Sequence, residues 1–161
     1  MADLTRSEII KLIAVATKPL NLQGVDLDGV DLHGLDLTGA NFSGATLSGA
    51  NLEGISLIGA NLSGAVLKSA QLERADLSDA NLQWTQLTGA NLQSAKMAGA
   101  NLVRATLLEA NLTGANLKTA TLLGANLNFA ILNKTNLEGA DLRDVKGYNP
   151  NEEASAGVRK A

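Results

Sequence analysis

The sequence offers little of the chemistry that catalysis requires. His33 is the only histidine, and no serine or cysteine is arranged with it as a nucleophile and its base would be. The chain contains no cysteine, which excludes disulfides, thiol nucleophiles and thiolate metal ligands. We therefore expect that the protein is not an enzyme and uses no cofactor, and that His33 is an exposed surface residue.

Aspartates near the start of the chain are the residues most like a metal site. Asp26, Asp28, Asp31 and Asp36 lie close together in the sequence, and residues 26–29 have the beginning of a calcium-binding loop. A loop of that kind also needs later oxygen ligands and a bidentate glutamate. These are missing here, so we expect the carboxylates to bind no metal.

The charge of the chain argues against two kinds of partner. The 161 residues carry a formal net charge of −3, so neither a nucleic acid nor an anionic membrane would be attracted at long range. No segment has the ~20 apolar residues that span a bilayer. The lack of cysteine fits a reducing compartment. We expect a cytoplasmic protein that binds neither nucleic acid nor a membrane directly.

Composition indicates how such a chain builds a core. Hydrophobic residues make up 45% of the sequence but aromatic residues only 2%, so the core must consist almost wholly of leucine and alanine. A large apolar residue occurs at every fifth position from Leu22 to Leu142. A small residue, mostly alanine, stands two positions before each of them between Ala40 and Ala140. This bias indicates a repeat protein.

A five-residue period excludes both regular structures. On a helix, a step of five residues advances ~140° beyond a full turn and spreads the leucines around every side. On a flat strand, the odd period sends successive leucines to opposite faces. Both apolar positions stay inside only if the chain bends once per repeat and winds around an axis. The large inward residues are then Leu22, Leu27, Leu32, Leu37, Phe42, Leu47, Leu52, Leu57, Leu62, Leu67, Leu72, Leu77, Leu82, Leu87, Leu92, Met97, Leu102, Leu107, Leu112, Leu117, Leu122, Leu127, Leu132, Leu137 and Leu142.

The repeated motif, Ala-Asp/Asn-Leu-X-X, resembles that of the pentapeptide-repeat proteins over residues 20–145, as residues 50–54 and 90–94 illustrate. The resemblance implies an all-β solenoid, a right-handed quadrilateral β-helix with four pentapeptides in each coil. Residues 20 apart in the sequence would then stack. About six coils at a spacing of ~4.8 Å would make a rod roughly 30 Å long.

Stacking of this kind predicts ladders of asparagine side chains that exchange amide hydrogen bonds between coils. One ladder would consist of Asn21, Asn41, Asn61, Asn81 and Asn101, and another of Asn51, Asn91 and Asn111.

The corners between the sides are predicted to differ along the rod. Glycine occupies the last repeat position from Gly24 to Gly64, and then gives way to larger residues such as Arg74 and Trp84. Glycine admits the positive φ that a type II turn requires. We therefore expect tighter and more uniform corners in the first coils than in the later ones.

The two ends of the repeat differ in character. Residues 5–8 have a capping-box pattern, and the apolar residues Ile9, Ile10, Leu12, Ile13 and Ala16 fall largely on one helical face before Pro19. We expect residues 1–20 to form a short helix that covers the first coil, 21–145 to form the solenoid, and 146–161 to form a mobile tail. A membrane-surface helix is the alternative for the first segment, disfavoured by its few basic residues.

Stacking of outward positions predicts a candidate partner-binding surface. Trp84 would lie one coil below Arg104, and Val103 one coil below Leu123. Leu108 and Phe129 would occupy the adjoining side. An apolar stripe of this kind indicates a protein-binding surface. The alternative is that Trp84 lies flat on the coil and packs against Arg104.

These patterns favour a non-catalytic structural or protein-interaction scaffold, with a protein partner that the sequence leaves unidentified. The resemblance supplies an alternative, because some pentapeptide-repeat proteins protect DNA gyrase from quinolones by imitating the shape and charge of duplex DNA. Residues 19–67 include five acidic residues and no lysine or arginine. That density is sparse beside the charge of DNA, roughly one per 1.7 Å. The family is abundant in cyanobacteria, mostly without assigned roles.

The last coil has no apolar helix after it in the sequence, so another element must shield its edge. The gyrase-protecting relatives pair through their C-terminal ends. The resemblance therefore adds the expectation of a homodimer through the C-terminal end, with a two-fold contact that closes on itself. The alternative is that Val145 and Tyr148 fold over the edge within one chain, although two side chains cover little of it.

Overall fold

The computed structural model describes residues 2–17 and 19–149. Within these ranges it has one helix, α1, at Arg6–Val15. The side chain of Thr5 accepts the N–H of Glu8, and the Glu8 carboxylate accepts the N–H of Thr5 at 2.7 Å. The predicted capping box is confirmed, and it fixes where α1 begins.

Helix α1 packs on the first coil along a narrow line. Ile9 is fully buried and Ile13 is partly buried, whereas Ile10 and Leu12 are 44% and 39% exposed. The expectation that Ile10 and Leu12 share the buried face is therefore wrong. The reason is geometric, since a short helix that crosses the end of a coil contacts it through residues four apart and leaves its flanks in solvent.

The rest of the described chain winds in coils of four pentapeptides. Every β-bridge in the described ranges is parallel and joins residues 20 apart, from Asn21 with Asn41 to Asn126 with Lys146. The N–H of Leu22 donates to the carbonyl of Asn41 in the next coil at 2.7 Å, and the N–H of Asn41 donates back to the carbonyl of Leu20 at 2.9 Å. The predicted stacking at 20 residues is confirmed.

Each side of a coil is short because the turn takes most of the repeat. The N–H of Val25 donates to the carbonyl of Leu22 at 3.3 Å and closes a four-residue turn. One bridge residue therefore remains for each side, and no longer strand forms within the described residues.

The core is a column of leucine and alanine inside the coils. The large inward residues from Leu22 to Leu137 are at most 4% exposed, and the alanines that stand two positions before them, from Ala40 to Ala125, are buried beside them. Burial of each such leucine stabilises the fold by about 1.5–3 kcal/mol. Leu142 is only partly buried, because it belongs to the final turn of the rod.

Asparagine ladders run along the outside of the core. The amide of Asn41 donates to the amide oxygen of Asn21 at 3.0 Å, and Asn61 donates to Asn41 at 3.3 Å. The same bond joins Asn81 to Asn61 at 3.2 Å, and Asn111 to Asn91 at 3.4 Å. These bonds join neighbouring coils, as predicted, from Asn21 to Asn81 and between Asn91 and Asn111. Among the described residues no such amide bond joins Asn101 to Asn81, and Asn51 is separated from Asn91 by Gln71 in the coil between them.

The corners do not change along the rod as the sequence suggested. The glycines from Gly24 to Gly64 have φ between 60° and 70°, and the residues that replace glycine later have φ between 54° and 60°. The expectation of tighter corners in the first coils is therefore wrong. Closure of the coil imposes the left-handed conformation at these corners, and at the corners from Gly44 to Gly64 an added Cβ would meet nothing within 4 Å. Each non-glycine corner costs roughly 1–2 kcal/mol.

The predicted tail, residues 146–161, lies mostly outside the described residues. Its first residue, Lys146, still pairs with Asn126 in the register of the coils. Val145 and Tyr148 pack against the end of the core.

Candidate protein-binding surface

Trp84 and Arg104 form one outward surface of the rod. Trp84 occupies a corner with φ of 60°, so its side chain projects outward and is 55% exposed. The backbone N–H of Trp84 donates to the carbonyl of Val103 at 3.0 Å, and the backbone N–H of Arg104 donates to the carbonyl of Leu123 at 2.9 Å. These bonds set the two side chains one coil apart. The guanidinium of Arg104 lies 4.8 Å from the centroid of the Trp84 ring.

The Arg104 guanidinium stacks on the Trp84 ring as a cation–π contact. An exposed cation–π contact contributes about 0.5–1 kcal/mol, so the pair orients Trp84 more than it stabilises the fold. The structure thus forms the Arg104 contact that the sequence raised as an alternative, and it leaves more than half of the Trp84 surface in solvent.

The other residues of the predicted stripe lie nearby in the same register. Val103 and Leu123 are partly exposed in successive coils of the side that carries Trp84. Leu108 is partly exposed on the adjoining side, where Gly89 donates its N–H to the Leu108 carbonyl at 2.8 Å. Phe129 is 82% exposed at the end of that side.

Ile131, 48% exposed, adds to the apolar area beside Phe129. Sequence reasoning missed it, although a signal was present. Ile131 bridges Asn111 and so interrupts an asparagine ladder with an apolar residue. We give the name aromatic surface to Trp84, Val103, Arg104, Leu108, Leu123, Phe129 and Ile131.

A polar cleft of about 260 Å³ lies between neighbouring coils. Arg74 pairs with Glu53, and the amide of Asn91 donates to Glu73. The cleft is lined by Glu53, Glu73, Arg74, Gln93 and Ser94. The Glu53–Arg74 pair and the Asn91–Glu73 bond link neighbouring coils, whereas the Oε2 atom of Glu73 is buried without a hydrogen-bond partner among the described residues.

The aspartates of the first coil do not converge: the carboxylates of three accept from their own turns, and the Asp28 carboxylate accepts the N–H of Ser48 in the next coil at 2.6 Å. The N–H groups of Asp28, His33 and Thr38 donate to Asp26 at 3.0 Å, to Asp31 at 3.1 Å and to Asp36 at 3.0 Å. In the described chain, no three histidine, aspartate or glutamate side chains are grouped to hold a metal.

Hydrogen bonds lower the pKa of Asp26, Asp31 and Asp36, which favours the charged form of these three carboxylates. The pKa of Asp26 is lowered chiefly by the backbone N–H of Asp28. The pKa of Asp31 is lowered chiefly by the His33 side chain, whose Nδ1 is 2.8 Å from the Asp31 Oδ1. His33 itself is exposed and pairs with this carboxylate.

The described chain contains no helix with the length and apolar character that a membrane crossing needs.

Comparison with known proteins places this architecture in context. A family model described as pentapeptide repeats matches the chain in 8 copies, over residues 21–54, 45–83, 55–93, 85–123 and 122–146. No curated protein matches it significantly.

The solved structures that are similar to the chain include a plant protein and a plasmid-mediated resistance protein. The crystal structure of a pentapeptide repeat protein from the Arabidopsis thaliana thylakoid lumen is 34% identical, with 60% of this chain and 67% of that chain covered and a TM-score of 0.59. QnrB1, a plasmid-mediated fluoroquinolone resistance protein, is 19% identical, with 88% of this chain and 85% of that chain covered and a TM-score of 0.58. The second likeness concerns the fold alone.

Proposed function

The chain belongs to the pentapeptide-repeat family, and from that premise we propose that it is a non-catalytic protein-interaction scaffold. Its finer architecture in this proposal is a right-handed quadrilateral β-helix. The four-repeat register and the likeness to the Arabidopsis thaliana structure support that architecture. Fold alone does not assign a function, so the argument rests on the outward residues.

The observation that carries the proposal is the exposure of Trp84 and Phe129 on a backbone that is bonded coil to coil. Tryptophan and arginine are the residues most enriched among those that dominate binding energy at protein interfaces. Arg104 holds the Trp84 ring in one orientation, which reduces the entropy lost on binding. The aromatic surface therefore has the composition and rigidity of a site for a protein partner.

Capture of partners from an extract of the source cells tests this proposal. The wild-type protein is immobilised beside Trp84→Ala, Phe129→Ala and the control Gln23→Ala, which changes an exposed residue of the first coil. We expect a partner retained by the wild type and the control to be lost from both aromatic variants. All four proteins should give nearly the same circular-dichroism melt. A melt that falls while capture is kept would make Trp84 a packing residue and contradict the proposal.

A second candidate, a gyrase-binding DNA mimic, is favoured by the acidic stretch of residues 19–67, with five acidic residues and no lysine or arginine. Part of this charge is compensated, since Asp31 lies 3.8 Å from Arg6 and Glu53 pairs with Arg74. A supercoiling assay with purified gyrase separates the two candidates. A DNA mimic inhibits gyrase or protects it from a quinolone at micromolar concentration, and a scaffold does neither.

We also propose that two copies of the chain contact each other at the C-terminal end of the rod. Phe129, Ile131 and the partly buried Leu142 place apolar surface at that end of the rod. A two-fold contact there would shield the edge of the last coil.

A further inference from the structure

The first coil has no coil beneath it, so its downward-facing carbonyls need other donors. In each later coil, the carbonyls of the residues before and after the inward leucine accept N–H groups from the coil below. Ser56 accepts from Leu37 and Ile58 accepts from Gly39, both at 2.8 Å. The equivalent carbonyls of the first coil form an open edge at the N-terminal end, where an extended segment can pair.

Arg6 covers one side of this edge with its side chain. Its guanidinium donates to the carbonyl of Asp31 at 3.3 Å and to that of His33 at 2.9 Å, and it lies 3.8 Å from the Asp31 carboxylate. In the next coil, the equivalent carbonyls accept from Leu32 and Gly34. One guanidinium thus replaces two backbone donors of a missing coil, and a carboxylate faces its charge.

Asp3 covers the preceding side in a similar way. Its N–H donates to the carbonyl of Asp26 at 2.6 Å, and its carboxylate accepts the N–H of Asp26 at 2.9 Å. The segment before α1 therefore supplies both the donor and the acceptor that a lower coil would supply.

The following side repeats the pattern that binds Arg6. Residues 36–38 are Asp-Leu-Thr where residues 31–33 are Asp-Leu-His, with the same register in the coil. Asp36 and Thr38 are exposed, and their carbonyls accept no hydrogen bond from residues 2–17 or 19–149. A cleft of about 210 Å³ opens here between α1 and the coil, lined by Ile13, Ala16, Pro19, Leu20 and residues 36–38.

We propose that the side formed by Asp36, Leu37 and Thr38 binds an arginine side chain of a partner segment, as the neighbouring side binds Arg6. The guanidinium would donate to the carbonyls of Asp36 and Thr38, with the Asp36 carboxylate as its counter-ion. The apolar cleft takes the aliphatic stem and an adjacent apolar residue. A lysine ammonium lacks the planar fork that reaches two carbonyls and a carboxylate together.

The charge around this side suits a cationic partner. The exposed Asp36 carboxylate gives this side a negative charge, which favours approach of a basic segment. The hydroxyl and N–H of Thr38 lower the pKa of Asp36, so the carboxylate is charged at neutral pH. The site lies in the first coil, away from the aromatic surface, so either can fail without the other.

Amide chemical shifts of the full-length protein test the proposal, with acetyl-Leu-Arg-Leu-amide as the probe. We expect saturable shifts at residues 36–39 with millimolar affinity, and weaker shifts with the lysine and citrulline analogues. Asp36→Asn should weaken binding about fivefold, the loss of one exposed ion pair, while its amide oxygen still accepts the Thr38 N–H. Asp76→Asn is the matched control, because Asp76 has the same register but its carbonyl accepts from Leu57 at 2.7 Å.

Arg6→Ala provides an independent readout, because it frees the carbonyls of Asp31 and His33. The same peptide should then also shift residues 31–34 and bind at two sites. The proposal is overturned if residues 36–39 do not respond, if the citrulline peptide binds equally well, or if Arg6→Ala adds no second site.

Discussion

Leu82 and Gln83 are adjacent in the chain and lie on opposite sides of the coil wall. Leu82 is 1% exposed in the core, whereas Gln83 is partly exposed, with its N–H bonded to the Asn81 side chain at 3.2 Å. Adjacent residues therefore face opposite ways here, one into the core and the next toward solvent.

Leu82→Lys and Gln83→Lys should therefore differ sharply in stability. The lysine at position 82 would place an unpaired charge in a leucine column, which costs more than about 4 kcal/mol and unfolds a marginal rod. The same residue at position 83 stays in solvent and should change the free energy of unfolding by at most ~0.5 kcal/mol. Thermal melts by circular dichroism measure both. Equal midpoints would refute the inward assignment of Leu82.

Corner residues give a second prediction. Lys134 is exposed and has φ of 58°, so Lys134→Gly should relieve backbone strain. The greater freedom of glycine in the unfolded chain offsets part of this gain, so the free energy of unfolding should rise by up to ~1 kcal/mol. Gly54→Ala should lower it by about 1 kcal/mol. Gly54 has φ of 60° and nothing within 4 Å of an added Cβ, so strain acts there without a clash. Urea titration measures both, and opposite signs are the expected outcome.

The sequence could predict the coil because its strongest pattern is also its main source of stability. A large apolar residue in each repeat, from Leu22 to Leu142, admits one way of keeping every apolar side chain inside, and this fixes the period of the winding. The asparagine ladders follow from that period. These features depend on spacing alone, which a sequence displays completely.

Other features depend on contacts between distant residues and could not be predicted in the same way. Nothing near Arg6 in the sequence indicates that it donates to the carbonyls of Asp31 and His33. The corner at Trp84 keeps its left-handed φ because the coil must close, although residue preference alone argues against it. The 20-residue register predicts that Trp84 and Arg104 lie one coil apart. The contact between the Trp84 ring and the Arg104 guanidinium also depends on the rotamers of both side chains, which the register does not determine.

Asp141 gives a prediction about pH. Arg143 donates to both of its carboxylate oxygens, at 2.9 Å and 2.7 Å, and these side-chain bonds, with the Arg143 N–H, lower the pKa of Asp141 to about 2. Because the folded pKa is depressed, the stabilisation is complete above the ordinary aspartate pKa of about 3.9. It is lost as the pH falls from there through about 2. Carbon-detected NMR titration should show this value.

Arg143→Ala should move the pKa of Asp141 back toward its ordinary value, although the backbone N–H at 3.2 Å still holds part of the shift. Arg104→Ala is the control, since Arg104 stacks on Trp84. An Asp141 pKa that does not respond to loss of the Arg143 side chain would show that the ion pair does not form in solution.

The C-terminal end gives the last prediction. In earlier coils the N–H of each inward leucine donates to the coil above, but those of Leu132 and Leu137 have no acceptor among the described residues. Phe129 and Ile131 lie exposed beside this edge, and Tyr148 covers part of it. An edge that carries both donors and acceptors can pair with its own copy about a two-fold axis.

We therefore expect light scattering after size exclusion to give twice the chain mass of 16.6 kDa. Ile131→Lys should return the mass to that of one chain with little change in the melt, because Ile131 is already half exposed. A single-chain mass for the wild type across about a hundredfold range of concentration would mean that the end is shielded within the monomer.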